Sequence, residues 1–231
     1  MAKQKAGKSR VWLVRVLLVI GLLIGLALVF NEQIKLFVVD HLSERTMQTI
    51  DKKSVKKNEQ SKGNFDFKSV KALDVQHVAK AATTANARNA IGKIAIPSVK
   101  MRLPILKGLS NENLSTGAGT MKADQTLGQG NYALAGHYMT NQGILFSPLK
   151  NVQLGNKLYL TDMSKVYTYT VTTKTTVNET QVQWINDVAG KKLVTLVTCA
   201  SATEGETNRI IVQGSLTQTT DATKSALQIF N

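Results

Sequence analysis

The sequence predicts a mainly β domain, closed as a barrel with a few short helices, behind an N-terminal transmembrane helix and a helical stalk. Three observations lead there. First, short apolar runs recur from Ala90 onward, at Ile91–Ile96, Val99–Ile105, Asn131–His137, Lys157–Thr161, Val166–Val177, Lys192–Thr198 and Arg209–Leu216. Turn signals separate them, among them Gly108, Gly128-Gln129-Gly130, Gly155-Asn156 and Gly190, which is strand punctuation. Second, strand–helix alternation of the parallel α/β kind is absent, and only Leu145–Leu149 and Gln181–Asp187 read as short helices. A closed antiparallel barrel is the economical way to hide so many strand edges. Third, residues 1–89 have another texture: basic, then apolar, then helical.

Residues 1–10 form a basic tail with Lys3, Lys5, Lys8 and Arg10 and no acid. Residues 11–30 are apolar apart from Arg15. That length suffices to span a bilayer, and Arg15, one turn inside, can snorkel to the headgroups. The rival reading is a cleaved signal peptide, for which Gly25-Leu26-Ala27 offers a small-x-small site. Leu28, Val29 and Phe30 carry the apolar run through that site, which favours an uncleaved anchor. Basic residues ahead of the span place the N-terminus inside the cell and the rest of the chain outside.

Residues 31–89 hold one glycine, Gly63, and no proline. Ile34, Phe37, Val38 and Leu42 fall at helical spacing, so the anchor continues as an amphipathic helix. Lys52, Lys53, Lys56, Lys57 and Lys62 then read as a solvated linker, and Ser69–Ala82 as a second helical stretch with Val70, Leu73 and Val78 on one side. The segment is expected to be a stalk; the alternative is a regulatory appendage lying on the domain of residues 90–231.

The net charge of +14 is unevenly spread: residues 1–89 carry 16 Lys+Arg against 7 Asp+Glu, and residues 90–231 carry 13 against 8. Such an excess fits attraction to anionic lipid or cell-wall polymers, or plain solubility. Basic and aromatic residues do not interleave, so no nucleic acid is expected as a partner. One cysteine rules out an internal disulfide, and a domain of this size can rest on its core alone.

That cysteine, Cys199, ends the run Thr195-Leu196-Val197-Thr198-Cys199. Alternation puts Leu193, Thr195, Val197 and Cys199 on one face, with Val194, Leu196 and Thr198 on the other. Both faces are largely apolar, as in a strand buried on both sides that opens into the polar loop of residues 200–208. A rigid base with solvent access suits a nucleophilic thiol, although a lone cysteine can also pack as a small hydrophobe. His137 ends another strand pattern, with Ala133 and Ala135 on its face leaving room beside the imidazole. A thiol needs a neighbouring imidazole or cation to ionise at neutral pH, and a single cysteine with a distant histidine is a nucleophile pattern.

Ala135-Gly136-His137 behind its apolar strand, Thr195-Leu196-Val197-Thr198-Cys199, and Arg209 followed by Ile210-Ile211-Val212 resemble the sortases. Gly117-Ala118-Gly119-Thr120-Met121-Lys122 and the general layout resemble class A sortases of Gram-positive bacteria, over about residues 90–216. Sortases have an eight-stranded barrel, and seven runs here come within one of it. The resemblance implies a membrane-anchored cysteine transpeptidase. It would cleave the Thr–Gly bond of a Leu-Pro-x-Thr-Gly sorting signal on an exported protein. A thioester would then pass the protein to a peptidoglycan precursor amine of the lipid II type.

It implies Cys199 as nucleophile, His137 as acid and base, and Arg209 as the cation that holds substrate carbonyls and the oxyanion. Thr198 would assist the oxyanion site, and Val197, Ala135 and Met121 would line the peptide groove. Some class A sortases bind calcium through carboxylates in the loop before the histidine strand. Here residues 121–130 offer only Asp124, so no metal or other cofactor is expected and calcium is not expected to be required. Two alternatives remain. One is a pilus-polymerising sortase, which typically has an N-terminal lid and a second membrane segment, whereas this chain ends soon after its last strand. The other is a membrane-tethered binding module without catalysis.

Overall fold

In the computed structural model, which describes residues 3–71, 73–84, 89–141 and 143–231, eight strands of the described chain close into a barrel. They are β1 (Ala90–Ile96), β2 (Met101–Leu106), β3 (Ala118–Thr120), β4 (Asn131–Ala135), β5 (Lys157–Thr161), β6 (Lys165–Asn178), β7 (Leu193–Cys199) and β8 (Asn208–Asp221). The order around the barrel is β1-β2-β3-β4-β7-β8-β6-β5, with β5 returning to β1. Seven of these match the apolar runs. The eighth, β3, is only three residues long and too short to show a period.

The expectation of a wholly antiparallel barrel needs correction, because β2–β3 and β4–β7 pair in parallel. Alternating hydrophobicity looks the same in either direction, and parallel neighbours need a long crossover between them. The chain between Ala135 and Leu193 provides one, building β5 and β6 on the way. Ile94, Ile105, Leu134, Leu158, Tyr169 and Leu196 fill the interior, each almost wholly excluded from water. The two expected short helices appear as 3₁₀ turns, Ser147–Asn151 and Val182–Ile185.

Contacts divide the chain into two units, one ending at Phe37 and one running from Val38 to Asn231. The first contains α1 (Lys3–Val29) and the start of α2 (Asn31–Thr49). Residues Val11–Val29 have a mean hydropathy of 2.7, and the helix is long and apolar enough to cross a membrane.

The expected stalk is corrected by the second unit, whose residues before β1 pack on the barrel. Met47 of α2 joins Ala95, Val166 and Phe230 in one apolar cluster. The lysine-rich stretch is a helix, α3 (Lys52–Asn58), started by a capping box in which Asp51 and Ser54 each accept the other's backbone N–H. Its lysines face solvent, while Val55 packs with Ile50 and Ala90, and the Asn58 amide donates to the Ala90 carbonyl at 2.9 Å.

The helix expected over Ser69–Ala82 is split into a 3₁₀ turn, Phe67–Ser69, and α4 (Val75–Thr84). The Asp66 carboxylate accepts the Lys68 N–H and the Asp74 carboxylate accepts the His77 N–H, so each piece has its own start. Val78 and Ala81 of α4 are buried, and Lys80 pairs with Glu112 of α5 (Asn111–Leu114) at 2.5 Å. Residues 72 and 85–88 of the segment lie outside the described residues.

Val55→Ala tests this packing, because a free stalk would tolerate it. Removing two buried methyl groups should cost about 1–2 kcal/mol and lower Tm by roughly 3–6 °C by calorimetry. An unchanged Tm would return residues 38–58 to the role of a spacer.

Candidate active site

Strand direction assembles the site. β4 and β7 run parallel in register, from Asn131 beside Leu193 to Ala135 beside Val197, so both C-terminal ends reach the same rim of the barrel. β8 is antiparallel to β7 and pairs Arg209 directly with Cys199, so its beginning lies at that rim too. Past the last residue of β4, Gly136 stays on β7: its N–H donates to the Val197 carbonyl at 3.1 Å, and the Thr198 hydroxyl donates to the Gly136 carbonyl at 2.8 Å. His137 follows, its carbonyl held by the Phe146 N–H at 3.1 Å. A Cβ on Gly136 would sit 2.6 Å from the ring of Phe146, which is wholly buried and cannot swing away.

These strand ends open on a groove of about 500 Å³ lined by Met121, Ala135, His137, Val197, Thr198, Cys199 and Arg209, every candidate named from the sequence. Its apolar side is one cluster, in which Met121, Ala135 and Val197 pack with Val70, Leu109, Leu114 and Ile185. The turn Val182–Ile185 forms a wall tied down by buried amides. Asn131 Nδ2 donates to the carbonyls of Trp184 at 2.8 Å and Asn186 at 3.0 Å, while its Oδ1 accepts from Thr195 at 2.7 Å.

The Sortase domain family matches residues 94–217. Sortase A of Streptococcus agalactiae serotype III is 44% identical over 229 residues, covering 95% of this chain and 91% of that protein. Sortase A of Listeria monocytogenes is 40% identical over 207 residues, covering 89% of this chain and 92% of that protein. The crystal structure of Listeria monocytogenes sortase A superposes with a TM-score of 0.60 at 42% identity, over 62% of this chain and 97% of the other. The chain belongs to the sortase family. It is a sortase A-type transpeptidase that acts on Leu-Pro-x-Thr-Gly sorting signals and anchors proteins to the cell wall.

In this sortase the charges around the thiol oppose one another. Burial pushes the Cys199 thiol above its ordinary value; Arg209 pulls it down, and Glu206 and Glu179 push it up again. The Arg209 guanidinium donates from Nη1 to the carbonyls of Glu206 and Asn208, and from Nη2 to the Glu179 carboxylate. Thr198 is buried with its hydroxyl on Gly136, so its contact is with the chain leading to His137. Near the loop before β4, Lys122 pairs with Asp187 at 2.6 Å and the Asn131 N–H donates to the same carboxylate at 2.8 Å. Both hold the Asp187 carboxyl below the usual range, Lys122 the more strongly.

Sequence reasoning missed three parts of the groove. Trp184 and Ile185 had a signal, an apolar pair inside a polar loop, and were read only as a short helix. Phe67, Lys68 and Val70 come from the expected stalk, where only Val70 carries a signal, as an apolar position of the helix expected over Ser69–Ala82. Glu179 carried no signal, because only the β6–β8 pairing brings it to Arg209.

Gly136→Ala should therefore displace the His137 segment from β7. We expect a destabilisation of about 1–3 kcal/mol by chemical denaturation together with a fall in kcat. Parent-like values in both assays would show that the Phe146 ring yields.

Proposed function

We propose that Cys199, His137 and Arg209 are the catalytic residues, carried by the convergence of three strand ends on one apolar groove. The Cys199 sulfur attacks the threonine carbonyl carbon of the sorting signal, and its proton passes to His137. The S–C bond forms and the carbonyl oxygen becomes an oxyanion. Arg209 stabilises that charge with donors held in a planar fork. Collapse breaks the C–N bond to glycine, whose nitrogen takes the proton from His137, leaving a thioester on Cys199. The amine of a peptidoglycan precursor of the lipid II type then attacks the thioester, its proton goes to His137, and the thiolate departs. Met121, Ala135 and Val197 bind the apolar part of the signal, and Thr198 supports the oxyanion region by fixing Gly136 beneath His137.

Basic residues ahead of the apolar helix favour an N-terminus inside the cell, a single membrane pass and an extracellular catalytic unit. Calcium is not required in this reading. Lys122 already supplies a cation to Asp187 beside the loop that precedes β4. Among the described residues, no group of three or more His, Cys, Asp or Glu could hold a metal ion.

The test is mass spectrometry of the products from a Leu-Pro-x-Thr-Gly peptide mixed with an amine. Cys199→Ala should give neither thioester nor product. Arg209→Lys keeps the charge but loses the fork, and should lower turnover on the order of 10²–10³ while Cys199 remains alkylatable. A chelator should change the parent rate by less than about twofold, the scatter expected when no ion is bound. Product from Cys199→Ala would remove the mechanism. A lysine variant within a few-fold of the parent would reduce Arg209 to a background charge, and calcium stimulation would reveal a site built by other acids.

A further inference from the structure

A guanidinium carries five N–H donors. On Arg209, Nη1 donates to the carbonyls of Glu206 and Asn208 and Nη2 donates once to Glu179, which leaves Nε–H and one Nη2–H for a ligand. The Glu179 carboxylate is thus the one side-chain partner that sets the plane of the arginine.

The barrel delivers it there. β6 and β8 pair Val177 with Arg209 and Asn178 with Asn208, and past the end of β6 the Glu179 N–H donates to the Thr207 carbonyl at 2.8 Å. Strand alternation puts Glu179 on the same face as Val177, next to the Arg209 side chain. Glu179 also lines the groove with His137, Cys199 and Arg209. The side chains of Arg209 and Glu179 are 23% and 46% exposed, where an ion pair adds little stability, so its consequence is geometric and electrostatic.

We propose that Glu179 is the positioning residue of the catalytic arginine, its carboxylate turning the two uncommitted donors of Arg209 toward the scissile carbonyl. This rests on the reading of Arg209 given above. A second consequence concerns charge: Glu179 offsets part of the Arg209 cation beside Cys199 and so holds back ionisation of the thiol at rest. Among the described residues, the other charged or titratable groups that act on Cys199 or line its groove are Glu206, His137 and Lys68. Glu206 is engaged in its own loop, accepting from Ser201 Oγ and the Asn208 N–H at 2.8 Å each. Lys68 and His137 line the same groove.

The full-length enzyme is assayed with peptide and amine as the parent, Glu179→Ala, Glu179→Gln and Arg209→Ala, and Cys199 alkylation is followed against pH. Glu179→Ala should lower kcat on the order of tenfold to a hundredfold, with KM moved less, because a misdirected donor acts on the transition state. Glu179→Gln keeps an oxygen acceptor without charge and should recover most of that loss. In both variants the alkylation midpoint should move to lower pH, since Arg209 is no longer offset; a packing role for the β6 end would not move it. Parent-like kcat with an unmoved midpoint in Glu179→Ala overturns the proposal, and so does a glutamine variant as impaired as the alanine variant. If Arg209→Ala retains turnover, the underlying reading of Arg209 has failed. If Arg209→Ala is inactive and Glu179→Ala is not, only this inference has failed.

Discussion

Because β4 and β7 run parallel and in register, two strand ends distant in sequence leave the barrel side by side. Everything chemical about the rim follows from that pairing. An antiparallel β4 would carry its C-terminal end, and His137 with it, to the opposite rim. The antiparallel β8 works the other way round, bringing the beginning of a strand, and Arg209, to the end of β7. The long crossover that a parallel pair demands is not idle chain, since it forms the β5 and β6 strands that close the barrel on the far side. Backbone hydrogen bonds continue the register past β4, and Gly136 is small enough to stay on β7 with the Phe146 ring beneath it.

The rim also sets the state of the thiol. A half-buried cysteine loses hydration of its anion, which favours the neutral form, and the adjacent arginine works against this. Two glutamates then reduce the arginine's effect. Burial and the two glutamates thus act against the arginine at the thiol, and His137 and Arg209 lie one strand away on either side. An apolar groove suits this arrangement, because a bound peptide displaces water and strengthens the remaining charge interactions.

Much of this was legible in the chain. Apolar runs of strand length between glycine turns gave seven of the eight strands, and the sequence around Cys199, His137 and Arg209 pointed to the residues that meet at the rim. Strand direction was not legible, since a period of two carries no sign. Nor was the packing of α3, where the single apolar Val55 among four lysines looks like a solvated stretch until Ala90 and Ile50 are seen against it. Glu179 and Lys68 were missed for a similar reason: a polar residue in a loop shows nothing of the partner that folding brings to it. Phe67 and Lys68 precede the helix expected over Ser69–Ala82 and Val70 falls inside it, and only the fold makes these three residues part of the groove.

The parallel register can be tested without any assay of turnover, since Cys199 is the only cysteine in the chain. His137→Cys places a second thiol one strand away at the same level. A disulfide requires the two Cα atoms to lie within about 7 Å, a distance that neighbouring strands satisfy and opposite rims do not. Mild oxidation of this variant, followed by peptide mapping, should yield an intramolecular link between positions 137 and 199 with loss of two hydrogens. Two free thiols, or cross-links between molecules only, would contradict the placement of His137 beside Cys199.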